Sequence, residues 1–101
     1  MQTQDYINLK NLLVHKSANT VFLLGYRLIL TKTEYAILKA LSENAYSTLS
    51  CEMIADITLL ELSKENIAFH VFNINKKAKS ISNRILIKNI SKIGYFLNEE
   101  M

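Results

Sequence analysis

Three hydroxyl residues partition this chain. Thr31, Ser50 and Ser63 each stand immediately before a segment whose apolar residues recur at helical spacing. A hydroxyl at that place accepts one of the backbone N–H groups that the first turn of a helix leaves without a partner. After Thr31 comes Glu34, completing a T-x-x-E capping box in which hydroxyl and carboxylate each accept the other residue's N–H. Ile37, Leu38 and Leu41 follow, and the pattern ends near Asn44. Ser50 predicts a short second helix reaching about Ile57, with Ile54 facing inward. Ser63 predicts a third over about 64–79, in which Ile67, Val71, Ile74 and Ala78 line one stripe.

The flanking segments have a different period. Residues 4–30 read as short strands, with a polar break over 15–19 and a tight turn at Gly25. Beyond the third helix, 84–87 and 94–97 read as two strands around a polar tip. Strands, three helices and a hairpin in this order predict an α+β fold: a winged helix-turn-helix with an N-terminal antiparallel sheet and a C-terminal β-hairpin wing. There is no repeat, low-complexity segment or Pro/Gly/Ser linker. One domain is therefore expected over 1–101, with the sheet over 4–30, the three-helix unit over 31–79 and the wing over 84–98.

Composition bounds what such a fold meets. Half the residues are hydrophobic, enough for one core. No stretch reaches about 18 uninterrupted apolar residues, so neither a transmembrane helix nor a membrane partner is expected. The first ten residues are polar and include an acid, where a secretory signal needs a basic and then an apolar run. A cytoplasmic protein is expected, and the single cysteine, Cys51, fits a reducing compartment and excludes an internal disulfide. The net charge of +3 is unevenly placed: residues 1–65 carry six basic and seven acidic side chains. Residues 66–98 carry six basic side chains and no acid, before Glu99 and Glu100 close the chain. A uniformly positive third attracts polyanions, most commonly nucleic acid, although a solvated lysine-rich surface has the same composition.

The elements also carry motifs. Leu30, Thr31, Glu34, Ile37, Leu38 and Leu41 fit L-T-x-x-E-x-x-[LI]-L-x-x-L, and Ser50 partly fits an S-R-x-x-L opening. Ile67, His70, Val71, Ile74 and Lys77 keep the frame of V-D-V-H-I-x-x-L-R-x-K. Ile87, Ile90, Ile93, Gly94 and Tyr95 keep that of I-x-T-V-R-G-V-G-Y. In these motifs the chain resembles the OmpR/PhoB-type effector domains of bacterial response regulators. The resemblance implies a DNA-binding transcription regulator, with the third helix in the major groove of double-stranded DNA and the 84–97 hairpin along the adjacent minor groove. It also implies dimers or tandem copies on repeated half-sites, or a partner regulator. Arginines usual in the family are matched by Phe72, Asn73, Asn75, Glu65 and Ser91, and the region between the second and third helices is shorter than usual. The chain leaves no room for the receiver domain that usually precedes the effector, so phosphorylation control is not expected from it.

Asn66, Asn73 and Asn75 lie off the buried stripe and are candidate base readers, because an amide pairs bidentately with adenine. Lys76, Lys77 and Lys79 are candidate phosphate contacts at the helix end. In the wing, Lys92 is placed to replace the missing arginine, and Asn89 and Ser91 are candidate donors to phosphate. His70 matches a family histidine that approaches the DNA backbone, and it fits a core-edge histidine equally well. On a helical wheel with the stripe near 0°, Phe69 falls at about 200° and Phe72 at about 140°, both away from the core. They are read as contacts to thymine methyl groups, as anchors of a dimer or partner interface, or as covered by the tail or sheet. The interface reading would make the chain a protein-protein interaction module. His15 has no ligand-spaced companion, so no metal is expected. Cys51 falls in a first helical turn, which favours a thiolate, but a lone cysteine is more often inert. Gly25 and Gly94, the only glycines, cannot build a phosphate loop, and no Ser/His/acid constellation stands out. Neither an enzyme, a cofactor nor a small-molecule substrate is expected.

Overall fold

The structure, a computed structural model, describes residues 5–98. The expected start of the sheet at Gln4 and the acids Glu99 and Glu100 lie outside the described residues. Four strands come first: β1 (Tyr6–Asn8), β2 (Leu12–His15), β3 (Val21–Leu23) and β4 (Tyr26–Arg27), antiparallel in that spatial order. The two-residue period of a strand turns Leu12, Val14, Val21 and Leu23 onto one face, and all four are buried. Leu12 pairs with Leu23 and Val14 with Val21, so the buried side chains meet across the ladder. Leu24 (φ 52°) and Gly25 (φ 82°) join β3 to β4 in the left-handed conformation that two-residue hairpins require. β4 is short because the chain turns inward after Arg27, burying Leu28 and Leu30. The Asn19 side-chain amide donates to the Leu30 carbonyl at 2.7 Å and fixes that exit.

The helices are α1 (Lys32–Glu43), α2 (Cys51–Thr58) and α3 (Lys64–Ser82), and each begins at its expected cap. Thr31 Oγ1 accepts the Glu34 N–H at 3.2 Å, while Glu34 Oε1 accepts the Thr31 N–H at 3.0 Å. Ser50 Oγ accepts the Met53 N–H at 3.1 Å, and Ser63 Oγ accepts the Asn66 N–H at 3.1 Å. Each such cap contributes about 1 kcal/mol. Ile37, Leu38 and Leu41 of α1, Ile54 of α2, and Ile67, Val71, Ile74 and Ala78 of α3 join the strand residues in one buried cluster. The tyrosine hydroxyl of Tyr35 donates to the His15 carbonyl at 2.5 Å and ties α1 to the sheet.

Two boundaries differ from expectation. α3 continues past Lys79 to Ser82 and stops at Asn83, which adopts the left-handed conformation at φ 60°. The first wing strand, β5, spans Ile87–Ile90 rather than 84–87; β6 spans Gly94–Leu97 as expected. The apolar run of Ile85, Leu86 and Ile87 reads as strand, but Ile85 faces solvent and Leu86 drops into the core before the ladder opens with Ile87 opposite Leu97. The wing is anchored at its far end too. Leu49 and Tyr95 exchange backbone hydrogen bonds of 2.8 and 2.9 Å. A Cβ on Gly94 would lie 2.1 Å from the Leu49 carbonyl oxygen, so only glycine permits this approach.

Candidate nucleic-acid interface

Burying the Ile67, Val71, Ile74 and Ala78 stripe leaves the opposite side of α3 in solvent. That side presents Glu65, Phe69, Phe72, Lys76, Lys79 and Ser80, all exposed. The wing flanks it through contacts between α3 and β5. Lys88 and Asn89 of β5 are exposed, as are Ser91, Lys92 and Ile93 at the tip, where Lys92 takes φ 65°. Between α3, the start of α2 and the wing lies an open groove of about 400 Å³ whose walls carry two cations, Lys64 and Lys92, and two acids, Glu52 and Glu65, with Cys51 and Asn89 beside them.

The expected site residues separate into two groups. Asn73, Lys76 and Lys79 of α3 and Ser91 and Lys92 of the wing tip are held by no hydrogen bond or ion pair among the described contacts; Asn73 is half-buried and the others are exposed. The remaining five are engaged within the fold. Asn66 Oδ1 accepts the Ser63 N–H at 3.4 Å, completing the capping box of α3, although the residue stays exposed. Asn75 faces the wing. Its Oδ1 accepts the N–H groups of Leu86 at 3.1 Å and Ile87 at 2.8 Å, and its Nδ2 donates to the Ile87 carbonyl at 2.9 Å. This is a clamp between α3 and β5 that uses both ends of the amide. Lys77 turns toward α1 and pairs with Glu34 at 2.5 Å. His70 is half-buried; its Nδ1 is buried with no partner among the described residues, and its ring meets Phe69 edge-on at 5.5 Å. Asn89 lies opposite Tyr95 across the β5–β6 ladder, near enough to influence its phenol.

Two electrostatic consequences follow. Burial pushes the Glu34 carboxyl up, but the Lys77 hydrogen bond, the Thr31 N–H and the nearby Lys77 and His70 charges outweigh it. The carboxyl is held below its ordinary value of 4.5. Burial pushes the Tyr95 phenol above its ordinary 10.0; Cys51 adds to the rise and the Asn89 hydrogen bond opposes it.

Two cations were missed in choosing site residues from the sequence. Lys88 follows buried Ile87 on β5, so period-two alternation turns it outward. Lys64 occupies the first turn of α3, where a cation opposes the helix dipole, a sign that the charge serves something other than helix stability. Among the described residues no group of His, Cys, Asp and Glu is arranged to hold a metal, and no helix is long and apolar enough to cross a membrane.

Three helices with the third laid beside a β-hairpin define a winged helix-turn-helix. No protein-family model matches the sequence, and no curated protein does. Solved structures do match. The RstA DNA-binding domain of Klebsiella pneumoniae, determined in complex with the RstA box, is similar at TM-score 0.76 and 15% identity over 93% of this chain and 97% of that one. The DNA-binding domain of CpxR from E. coli is similar at TM-score 0.75 and 21% identity over 91% and 94%. DrrB, an OmpR/PhoB homologue and response regulator of Thermotoga maritima, is similar at TM-score 0.76 and 30% identity. That match covers 93% of this chain, which spans 44% of the DrrB chain. The chain has the winged-helix fold of the OmpR/PhoB-type response-regulator DNA-binding domains.

Proposed function

We propose that this chain is a transcription regulator that binds double-stranded DNA, with α3 in the major groove and the β5–β6 wing along the adjacent minor groove. One observation carries the reading: the exposed side of α3 and the wing beside it hold Lys64, Lys76, Lys79, Lys88 and Lys92, all in solvent. That is the electrostatic footprint a duplex requires. Neighbours of the same fold are DNA-binding domains. On this reading Lys64, Lys76, Lys79, Lys88 and Lys92 meet phosphates, Ser91 donates to a phosphate at the wing, and Asn73 reads a base edge. Asn66 and Asn89 reach the duplex with whatever capacity their internal bonds leave. Asn75 and Lys77 hold the wing and α1 against α3 and act as positioning residues, and His70 supports the face from its edge. Copies bind in tandem or as dimers on repeated half-sites.

The test is fluorescence anisotropy of a labelled duplex at several salt concentrations. Each neutralised phosphate contributes about −0.9 to the log–log slope, so Lys76→Ala with Lys79→Ala should flatten it by about 1.8. Lys77→Ala, whose charge is already paired with Glu34, should leave the slope unchanged. Absence of binding at low salt would refute the proposal. A second reading is favoured by the exposure of Phe69 (61%) and Phe72 (64%): a protein-interaction module that docks a second copy or a partner regulator through these rings. Sedimentation of the wild type against the Phe69→Ala, Phe72→Ala double variant separates it from the first.

A further inference from the structure

The outward face of α3 sets two large apolar rings among three lysines and one acid, Glu65. Phe69 and Phe72 stand 61% and 64% exposed, and nothing among the described residues folds over them. The exposed cations Lys76 and Lys79 continue the same face, and Lys64 stands at its start. A duplex held by those cations would bring its base edges toward the two rings.

The groove edges decide which bases the rings accept. In the major groove, G·C pairs present guanine O6 and N7 acceptors and a cytosine amino donor, while an A·T pair presents adenine N7 and N6 and thymine O4 together with the one apolar group there, the thymine methyl. A phenyl ring laid over a G·C edge strips water from polar groups and returns no hydrogen bond. Laid over thymine, it buries a methyl. Phe69 and Phe72 are separated by about 4.5 Å along the helix axis at 1.5 Å per residue. Three residues apart, they lie on one side of the helix, close enough together for both to face the same short stretch of bases.

We infer that Phe69 and Phe72 are the specificity-determining residues of α3 and that they select duplexes with adjacent thymines by contact with the thymine 5-methyl groups. The inference rests on the duplex-binding reading above. It differs from reading by asparagine in that no hydrogen bond carries the choice.

The experiment first selects the tightest-binding duplexes from a randomised pool with the full chain. Each thymine of the selected site is then replaced by deoxyuridine, which removes only the 5-methyl, and affinity is measured by anisotropy. Loss of one buried methyl corresponds to about a fourfold loss of affinity. Loss of about fourfold at each of two adjacent thymines is expected for the wild type. Phe69→Ala and Phe72→Ala, at exposed positions and checked for unchanged urea midpoints, should each bind more weakly and lose sensitivity at one thymine. Selected sites with G·C facing α3, or methyl sensitivity that survives both substitutions, would overturn the inference while leaving duplex binding intact. Failure to select any duplex at low salt would overturn the duplex reading and the inference with it. Phenylalanine-dependent self-association in the same samples would then assign the rings to a protein contact.

Discussion

Asn75 offers the sharpest test of how this fold divides labour between structure and recognition. Replacing it by alanine removes three hydrogen bonds, two accepted from Leu86 and Ile87 and one donated to the Ile87 carbonyl. Leu86 is 0% and Ile87 2% exposed, so their backbone groups have little water to turn to. An orphaned buried polar group costs about 1–3 kcal/mol. Asn75 itself is half-buried, which lets some water into the vacated space and favours the low end for each of the three groups. The expected loss is therefore about 3 kcal/mol. That is a large part of a total stability on the order of 5–15 kcal/mol. With a urea dependence of roughly 1.5 kcal/mol per molar, the unfolding midpoint should fall by roughly 2 M. Asn75→Asp keeps the acceptor but loses the donor and sets a charge against the Ile87 carbonyl, so it should destabilise as well. A urea titration followed by circular dichroism reads both. If Asn75→Ala unfolds within about 0.5 kcal/mol of the wild type while DNA affinity drops tenfold or more, the clamp is incidental and Asn75 reads bases.

The remaining predictions concern the wing's far anchor and the ion pair between Lys77 and buried Glu34. Gly94→Ala must push the wing away from Leu49, because the added Cβ would lie 2.1 Å from a backbone oxygen. A loss of about 1–3 kcal/mol is expected, with faster hydrogen exchange at the Leu49 and Tyr95 amides as the direct readout. Glu34 titrates lower in the folded protein than its ordinary value of 4.5, so its contribution is complete well above pH 4.5 and is lost as pH falls through 4.5 and the lower folded value. Urea midpoints measured from pH 7 to pH 3 should decline in that window for the wild type and decline less for Glu34→Gln. An equal decline in both would show that other carboxylates carry the acid sensitivity.

What was legible in the sequence was what is local. The three caps are decided within four residues, and the structure places each where a hydroxyl precedes a helical stripe. The stripe of α3 needed only periodicity, and so did the exposure of Phe69 and Phe72. What was not legible depends on distant partners. Asn75 lies off the stripe and reads as a surface amide, yet its partners are 11 and 12 residues ahead, where the chain enters β5. Lys77 reads as one more cation of a basic run, yet its partner Glu34 is 43 residues away. The Gly-Tyr pair of the wing was recognisable as a motif, but its physical reason, the approach of Leu49, exists only in three dimensions.

Charge placement then limits the proposed interface more tightly than charge count does. Residues 66–98 carry six basic side chains and no acid, but Lys77 is neutralised by Glu34 and contributes little to an external field. The exposed lysines of α3 and the wing are Lys64, Lys76, Lys79, Lys88 and Lys92. Full neutralisation of one phosphate by each gives a salt slope of about −4.5. The exposed acids Glu52 and Asp56 of α2 and Glu61 of the following loop oppose a phosphate approach from that side, with no basic residue between 51 and 63 to offset them. On the proposed reading a duplex approaches along α3 and the wing and is disfavoured over α2, a bias that needs no base contact. Since Glu65 adds a further repulsion on α3 itself, electrostatics supplies orientation and only moderate affinity. The remainder of any tight binding must come from contacts that do not weaken with salt, and on this face the two phenylalanines are the largest such surface.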